Sequence, residues 1–157
     1  MSLAVLSGSV VILPTDVAAE LKELLPQVPL SFSSIGHLDP KDYVQVGFPS
    51  SAKGIVAAVT ELFQRGRIQV LVGTKSLLGE GWDAPCVNSL ILGSFVGSFM
   101  LSNQMRGRAI RTWQGHPEKT SNIWHLVAIQ PEPLITLSGE EPTLDSNQDL
   151  QTLSRRM

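Results

Sequence analysis

Ile55, Val56, Val59, Leu62 and Phe63 fall at i, i+1, i+4, i+7 and i+8, one apolar stripe on a helix that starts at Ser50 or Ser51. Gly66 follows where a left-handed residue ends a helix. Directly behind it comes the apolar run Ile68-Gln69-Val70-Leu71-Val72, a strand closed by Gly73-Thr74. Strand and helix also alternate earlier in the chain, there with the strand first. Val10 to Leu13 is short, β-branched and unbroken, as a buried parallel strand should be, and Pro14 ends it. Thr15 or Asp16 can cap a helix there. Val17, Ala18, Leu21, Leu24 and Leu25 then keep helical spacing until Pro26 stops it. The alternation occurs again later, as a strand over Val87 to Leu92, a helix from Phe99 to Arg111 behind Ser98, and a last strand from Ile123 to Ile129. Between Pro26 and Ser50 the prolines and glycines predict an irregular connection around a short strand, Tyr43 to Val46. Alternating strands and helices predict an α/β fold, a parallel sheet with helices on both faces. In such sheets ligands bind beyond the carboxyl ends of the strands.

The chain has 157 residues, 43% apolar and 17% charged, which is enough for one domain with a core. Residues 1–130 are read as that domain. From Gln130 the composition turns to Pro131, Pro133, Gly139 and Pro142 with acidic and polar residues, so 131–157 is read as an extended or disordered tail. The formal net charge of −2 excludes holding nucleic acid by bulk charge, so any such contact is local. Cys86 is the single cysteine, which excludes an internal disulfide and a thiolate metal site and fits a reducing, cytoplasmic setting. No apolar run nears the ~20 residues that span a bilayer, and the start has no basic leader region, so neither membrane nor export is expected. His37, His116 and His125 share no metal-like spacing, and no metal is expected on this chain.

Two constellations carry chemistry. The first runs from Gly73 through Thr74, Lys75, Gly79, Gly81, Trp82 and Asp83 to Pro85, immediately after a strand. Its glycines permit close backbone approach to a ligand. Thr74 offers a hydroxyl and an N–H to a phosphate oxygen, and Asp83 is an acceptor suited to a ribose hydroxyl or a neighbouring Arg. The bland alternative is a plain strand-to-helix turn with Asp83 as a cap. Trp82 stacks on a base or packs beneath the loop, packing being the commoner use. The second constellation is Gln104-Met105-Arg106-Gly107-Arg108-Ala109-Ile110-Arg111. On a helix Gln104, Arg108 and Arg111 share one face. Two guanidiniums on one edge repel unless an anion sits between them, and a polyphosphate suits bidentate Arg contacts. Gly107 costs a helix roughly 1 kcal/mol relative to Ala, which predicts a close backbone neighbour. Leu101 and Met105 lie on another stripe and are expected to pack inward. The alternative is a solvated basic face.

In this order the two constellations resemble a known family. Gly73-Thr74 through Asp83 resembles motif V of superfamily 2 helicases, and Gln104-x-x-Gly107-Arg108-x-x-Arg111 resembles motif VI. The wording GEGWDAP and QMRGRAIR is closer to the restriction-enzyme-like and repair-helicase-like branch than to the DEAD-box branch, and the likeness covers residues 52–128. The resemblance implies a C-terminal RecA-like domain that clamps ATP and Mg2+ against an N-terminal RecA-like domain, with DNA or RNA running across both. It implies that Arg108 and Arg111 are arginine fingers on the γ-phosphate and that Gln104 supports the water or phosphate contacts. Gly81 and Asp83 would lie near the sugar and the fingers, and Thr74 and Lys75 would touch the nucleic-acid backbone. The chain has no G-x-x-x-x-G-K-[ST] loop and no Asp-Glu pair behind a strand. It would therefore hold half an ATPase site and hydrolyse nothing alone. A different class fits the same basic edge: a non-catalytic α/β module that binds nucleic acid or protein. A self-contained small-molecule enzyme lacks any nucleophile–base or metal set.

Overall fold

A computed structural model describes residues 1–36, 38–50, 53–78, 82–93, 99–126 and 151, with only the backbone for Lys75, Leu77, Phe99 and Leu101. The chain divides into two compact units, Met1–Cys86 and Val87–Met157. The expected domain over 1–130 spans both. The expected tail over 131–157, Gln151 apart, lies outside the described residues, as do His37 and the far end of the last strand.

The first unit runs β1 (Leu3–Leu6), β2 (Val11–Pro14), α1 (Thr15–Leu24), β3 (Ser31–Ser33), β4 (Tyr43–Gly47), α2 (Ile55–Gln64), β5 (Val70–Gly73) and α3 (Lys75–Leu78). Its sheet has the order β3-β4-β2-β1-β5. β1 pairs with β5 in parallel, whereas β1–β2, β2–β4 and β3–β4 are antiparallel. This is a mixed α/β unit, and the all-parallel sheet expected above is corrected. The reason lies in the short connection from β1 to β2. Ser7 to Val10 closes with the Ser7 N–H donating to the Val10 carbonyl at 2.8 Å. A parallel crossover needs a dozen or more residues, so a link this short forces an antiparallel pair.

Alternate residues of the sheet build the core. Ala4 and Leu6, Val11 and Leu13, and Val44 and Val46 are all buried, at adjoining registers. Val17, Ala18 and Leu21 of α1 and Ile55, Ala58, Val59 and Leu62 of α2 join the same cluster. Both helices therefore serve one face, not two. On the opposite face Val70 and Val72 stay 36% and 48% exposed.

The helix signals in the sequence hold with altered ends. α1 starts at Thr15 behind Pro14, and no side chain caps it. The Thr15 hydroxyl, expected as a cap, donates to the Pro40 carbonyl at 3.0 Å and ties down the irregular connection instead. α2 starts at Ile55, later than expected, behind Gly54 at φ 91°. It ends as read from the sequence, with Gly66 at φ 75°. Gly66→Ala is expected to cost about 1–2 kcal/mol in urea unfolding, because a Cβ disfavours this backbone region. Past that turn, Arg67 Nε donates to Glu20 Oε1 at 2.6 Å and its Nη2 lies 3.2 Å from Asp16 Oδ2. The hydrogen bond and charge of Glu20, with those of Asp16, hold this exposed guanidinium above its ordinary pKa against slight desolvation.

The second unit runs β6 (Ser89–Leu92), α4 (Phe99–Ala109) and β7 (Asn122–His125). β6 and β7 pair in parallel, Ser89 opposite Asn122 through Leu92 opposite His125. Here the helix between two strands does what the alternation predicts. Leu92 and Ala109 are buried, while Ile91 and Trp124, paired across the strands, are 62% and 59% exposed. Trp124 is thus mostly open. Among the described residues no helix is long and apolar enough to cross a membrane.

Candidate functional site

The first constellation begins where β5 ends. Leu6 of β1 lies opposite Gly73, and α3 turns back over the strand. A Cβ on Gly73 would overlap the Leu78 side chain and approach the Leu6 carbonyl to 3.2 Å. Close packing, not a positive φ, is what glycine supplies here. Thr74 is held by two backbone bonds: its N–H donates to the Leu6 carbonyl at 3.3 Å and its carbonyl accepts from Leu78 N–H at 3.0 Å. Its hydroxyl is exposed, 3.2 Å from that of Ser76. Lys75 opens α3. Gly79 and the predicted Gly81 lie outside the described residues, and Asp83 is exposed.

Trp82 packs on α2. Its Nε1 donates to Thr60 Oγ1 at 2.8 Å, and that hydroxyl donates to the Val56 carbonyl at 2.6 Å. Thr60 is buried. The indole is thereby held at the edge of an open cavity of about 810 Å³, which Ser7, Phe48, Trp82 and Asp83 help to line.

The second constellation lies in the other unit, on and just after α4. Gln104 is exposed, Arg108 is only 9% exposed and Arg111 is exposed. The expectation of Gln104, Arg108 and Arg111 on one open helical face is corrected on two counts. Arg108 is buried, and Arg111 lies beyond the helix, which ends at Ala109. The physical reason is competition for carbonyls. Continuing α4 would require a backbone N–H on the Ala109 carbonyl. That carbonyl instead accepts from Lys119 Nζ at 2.9 Å and from the Ser121 hydroxyl at 2.5 Å. Lys119 Nζ also donates to the Arg111 carbonyl at 2.6 Å.

Lys119 and Ser121 are the residues that sequence reasoning missed. A cation near a helix C-terminus is a known stabiliser, but this one sits well past the expected helix end. The loop that brings them back turns at Gly115, φ 85°, and stacks the His116 ring on Trp113 with centroids 3.6 Å apart. His116 Nδ1 lies 3.2 Å from Glu118 Oε1. A backbone hydrogen bond at Glu118, then His116, holds that carboxyl below its ordinary pKa. Lys119→Met should lose charge-assisted bonds worth roughly 1.5–3 kcal/mol. Urea unfolding measures the loss, and an unchanged midpoint would mean that α4 needs no such clamp.

Gly107 departs from expectation as well. Among the described residues nothing lies within 4 Å of a Cβ built there. Among the described residues no close backbone neighbour explains this glycine, and Gly107→Ala is expected to raise stability by about 1 kcal/mol through helix propensity. Met105 is half-buried, in line with an inward stripe. No protein-family model, no curated protein and no solved structure matches the chain, so the functional reading rests on these residues and their placement.

Proposed function

We propose that this chain is the C-terminal RecA-like motor domain of an ATP-dependent superfamily 2 DNA or RNA helicase or translocase, working in the cytoplasm. In this reading Arg108, Arg111 and Gln104 serve an ATPase site shared with an N-terminal RecA-like domain, which supplies the P-loop and holds ATP and Mg2+. Gly81 and Asp83 lie towards the nucleotide. Thr74 and Lys75 meet the nucleic-acid backbone. The observation that carries the reading is the order of parts. A strand paired in parallel ends in Gly73-Thr74, and Gln104-x-x-Gly107-Arg108-x-x-Arg111 follows at the end of a helix flanked by two parallel strands.

The residues suit a triphosphate unequally. The exposed Gln104 amide and Arg111 guanidinium are donors that fit phosphate oxygens. Arg108, at 9% exposure, must reach a phosphate by its edge. The test is ATP hydrolysis, with and without nucleic acid, by this chain alone and by a polypeptide that joins it to a P-loop domain. Turnover only in the joined form, lost with Arg111→Ala, supports the reading. Turnover indifferent to both Arg108 and Arg111 removes it.

Two observations favour the second reading, a non-catalytic α/β module for nucleic acid or protein. They are the mostly antiparallel first sheet and the buried Arg108. Under it, Arg111→Ala weakens oligonucleotide or protein binding, and no arrangement hydrolyses ATP.

A further inference from the structure

We infer that Lys119 is a positioning residue for Arg111: its ammonium fixes the stretch of backbone from which the Arg111 guanidinium reaches a phosphate. The inference rests on the proposed role of Arg111 as a finger and names what sets its place.

Past Ala109 the helical bonding runs out. Ile110 N–H still donates to the Arg106 carbonyl at 3.3 Å, one full turn back. Arg111 N–H donates instead to the Arg108 carbonyl at 3.3 Å, which tightens the chain as it leaves α4. Carbonyls at such an end need partners from outside the helix. Lys119 Nζ supplies them, donating to the Ala109 carbonyl at 2.9 Å and to the Arg111 carbonyl at 2.6 Å. Arg111 is thus held on both sides of its Cα, by its N–H on Arg108 and by its carbonyl under Lys119. With both peptide groups fixed, its Cα–Cβ bond has one direction, and the exposed side chain searches only its own rotamers. Preorganisation of this kind is what a group acting on a transition state needs.

Lys119 can fix Arg111 because it is itself held. His116 N–H donates to the Trp113 carbonyl at 3.0 Å and Lys119 N–H to the His116 carbonyl at 3.1 Å, two turns in succession. The His116 ring stacks on Trp113 within them. Beyond Lys119, Asn122 N–H donates to the Asn88 carbonyl at 2.9 Å, where β7 begins to pair with β6. The lysine therefore stands between rigid turns and a strand pair. Its charge suits the place, since a helix C-terminus carries partial negative charge.

Ser121 supplies the contrast. A hydroxyl has one proton to give, and Ser121 gives it to the Ala109 carbonyl at 2.5 Å. Removing Ser121 loosens the end of α4 but leaves the Arg111 carbonyl on Lys119. Removing Lys119 releases both carbonyls.

The experiment has two arms. Amide hydrogen exchange is followed by NMR on the full chain, and ATP turnover is measured in a polypeptide that joins the chain to a P-loop domain. Lys119→Met is expected to speed exchange of Arg111 N–H at least roughly tenfold, whereas Ser121→Ala changes it little. In the joined form Lys119→Met should lower kcat roughly 10–100-fold with KM for ATP nearly unchanged, the cost of misplacing a reacting group. In an Arg111→Ala background, read by single turnover, Lys119→Met should lower the rate no further, because it acts through Arg111. Should Lys119→Met unfold by circular dichroism, Lys119→Gln, which keeps a donor without the charge, serves for the same comparisons. Unchanged exchange at Arg111, an equal loss of turnover in Ser121→Ala, or a loss that persists without Arg111 overturns the positioning role and leaves the helicase reading intact. No turnover by the joined polypeptide with Lys119 and Arg111 in place removes the helicase reading and this inference with it.

Discussion

Arg108→Ala, in a polypeptide that places this chain beside a P-loop domain, is expected to lower ATP turnover by about 10³–10⁵-fold while leaving nucleotide affinity nearly unchanged. The magnitude is that of arginine fingers in phosphoryl transfer, whose charge matters when the γ-phosphoryl oxygens gain charge in the transition state. An interaction made only there lowers kcat and spares binding. Arg108→Lys should recover little, because an ammonium cannot reproduce the planar fork. Burial complicates the side chain at 108, since removing a buried charged group can also unfold the chain. Arg111 separates the two effects. It is exposed and lies beyond the end of α4, so Arg111→Ala should leave the unfolding midpoint in place and still depress turnover. Loss of turnover that merely tracks loss of folded protein, across both variants, would sink the finger assignment.

Leu62→Ala is expected to destabilise the first unit by about 2–5 kcal/mol. Leu62 is fully buried and sits on the α2 stripe within the cluster that Leu13, Leu21 and Val46 also fill. Truncation removes its transfer free energy and leaves a void that α1 and the sheet cannot close fully. For a domain this size the melting temperature should fall by roughly 4–8 °C per kcal/mol. Val72→Ala is the control: at 48% exposure on the far face of the sheet it should stay within about 0.5 kcal/mol. Equal costs at the two positions would show that α2 does not seal this core.

Local spacing made much of the chain legible. The stripe from Ile55 to Phe63 became α2, Gly66 took the left-handed turn that ends it, and Val17, Ala18 and Leu21 became the buried side of α1. Both features act within a few residues, where side-chain period and backbone freedom are properties of the segment itself. The candidate site was legible to the same depth. Thr74 stands at the end of a strand, and Gln104 and Arg108 on a helix, as their neighbours in sequence require.

The sequence by itself thus determined where helices and most strands form and which residue types meet at their ends. Tertiary structure alone decided strand direction, since Leu3–Leu6 became a strand by pairing with both Val11–Pro14 and the distant Val70–Gly73. It also decided that Arg111 leaves the helix, because Lys119 and Ser121 arrive from downstream to take carbonyls at its end. The reason is the range of the forces involved. Side-chain period is a local property, whereas a backbone carbonyl or a strand edge takes whichever partner the folded chain delivers, and that partner can lie anywhere in the sequence.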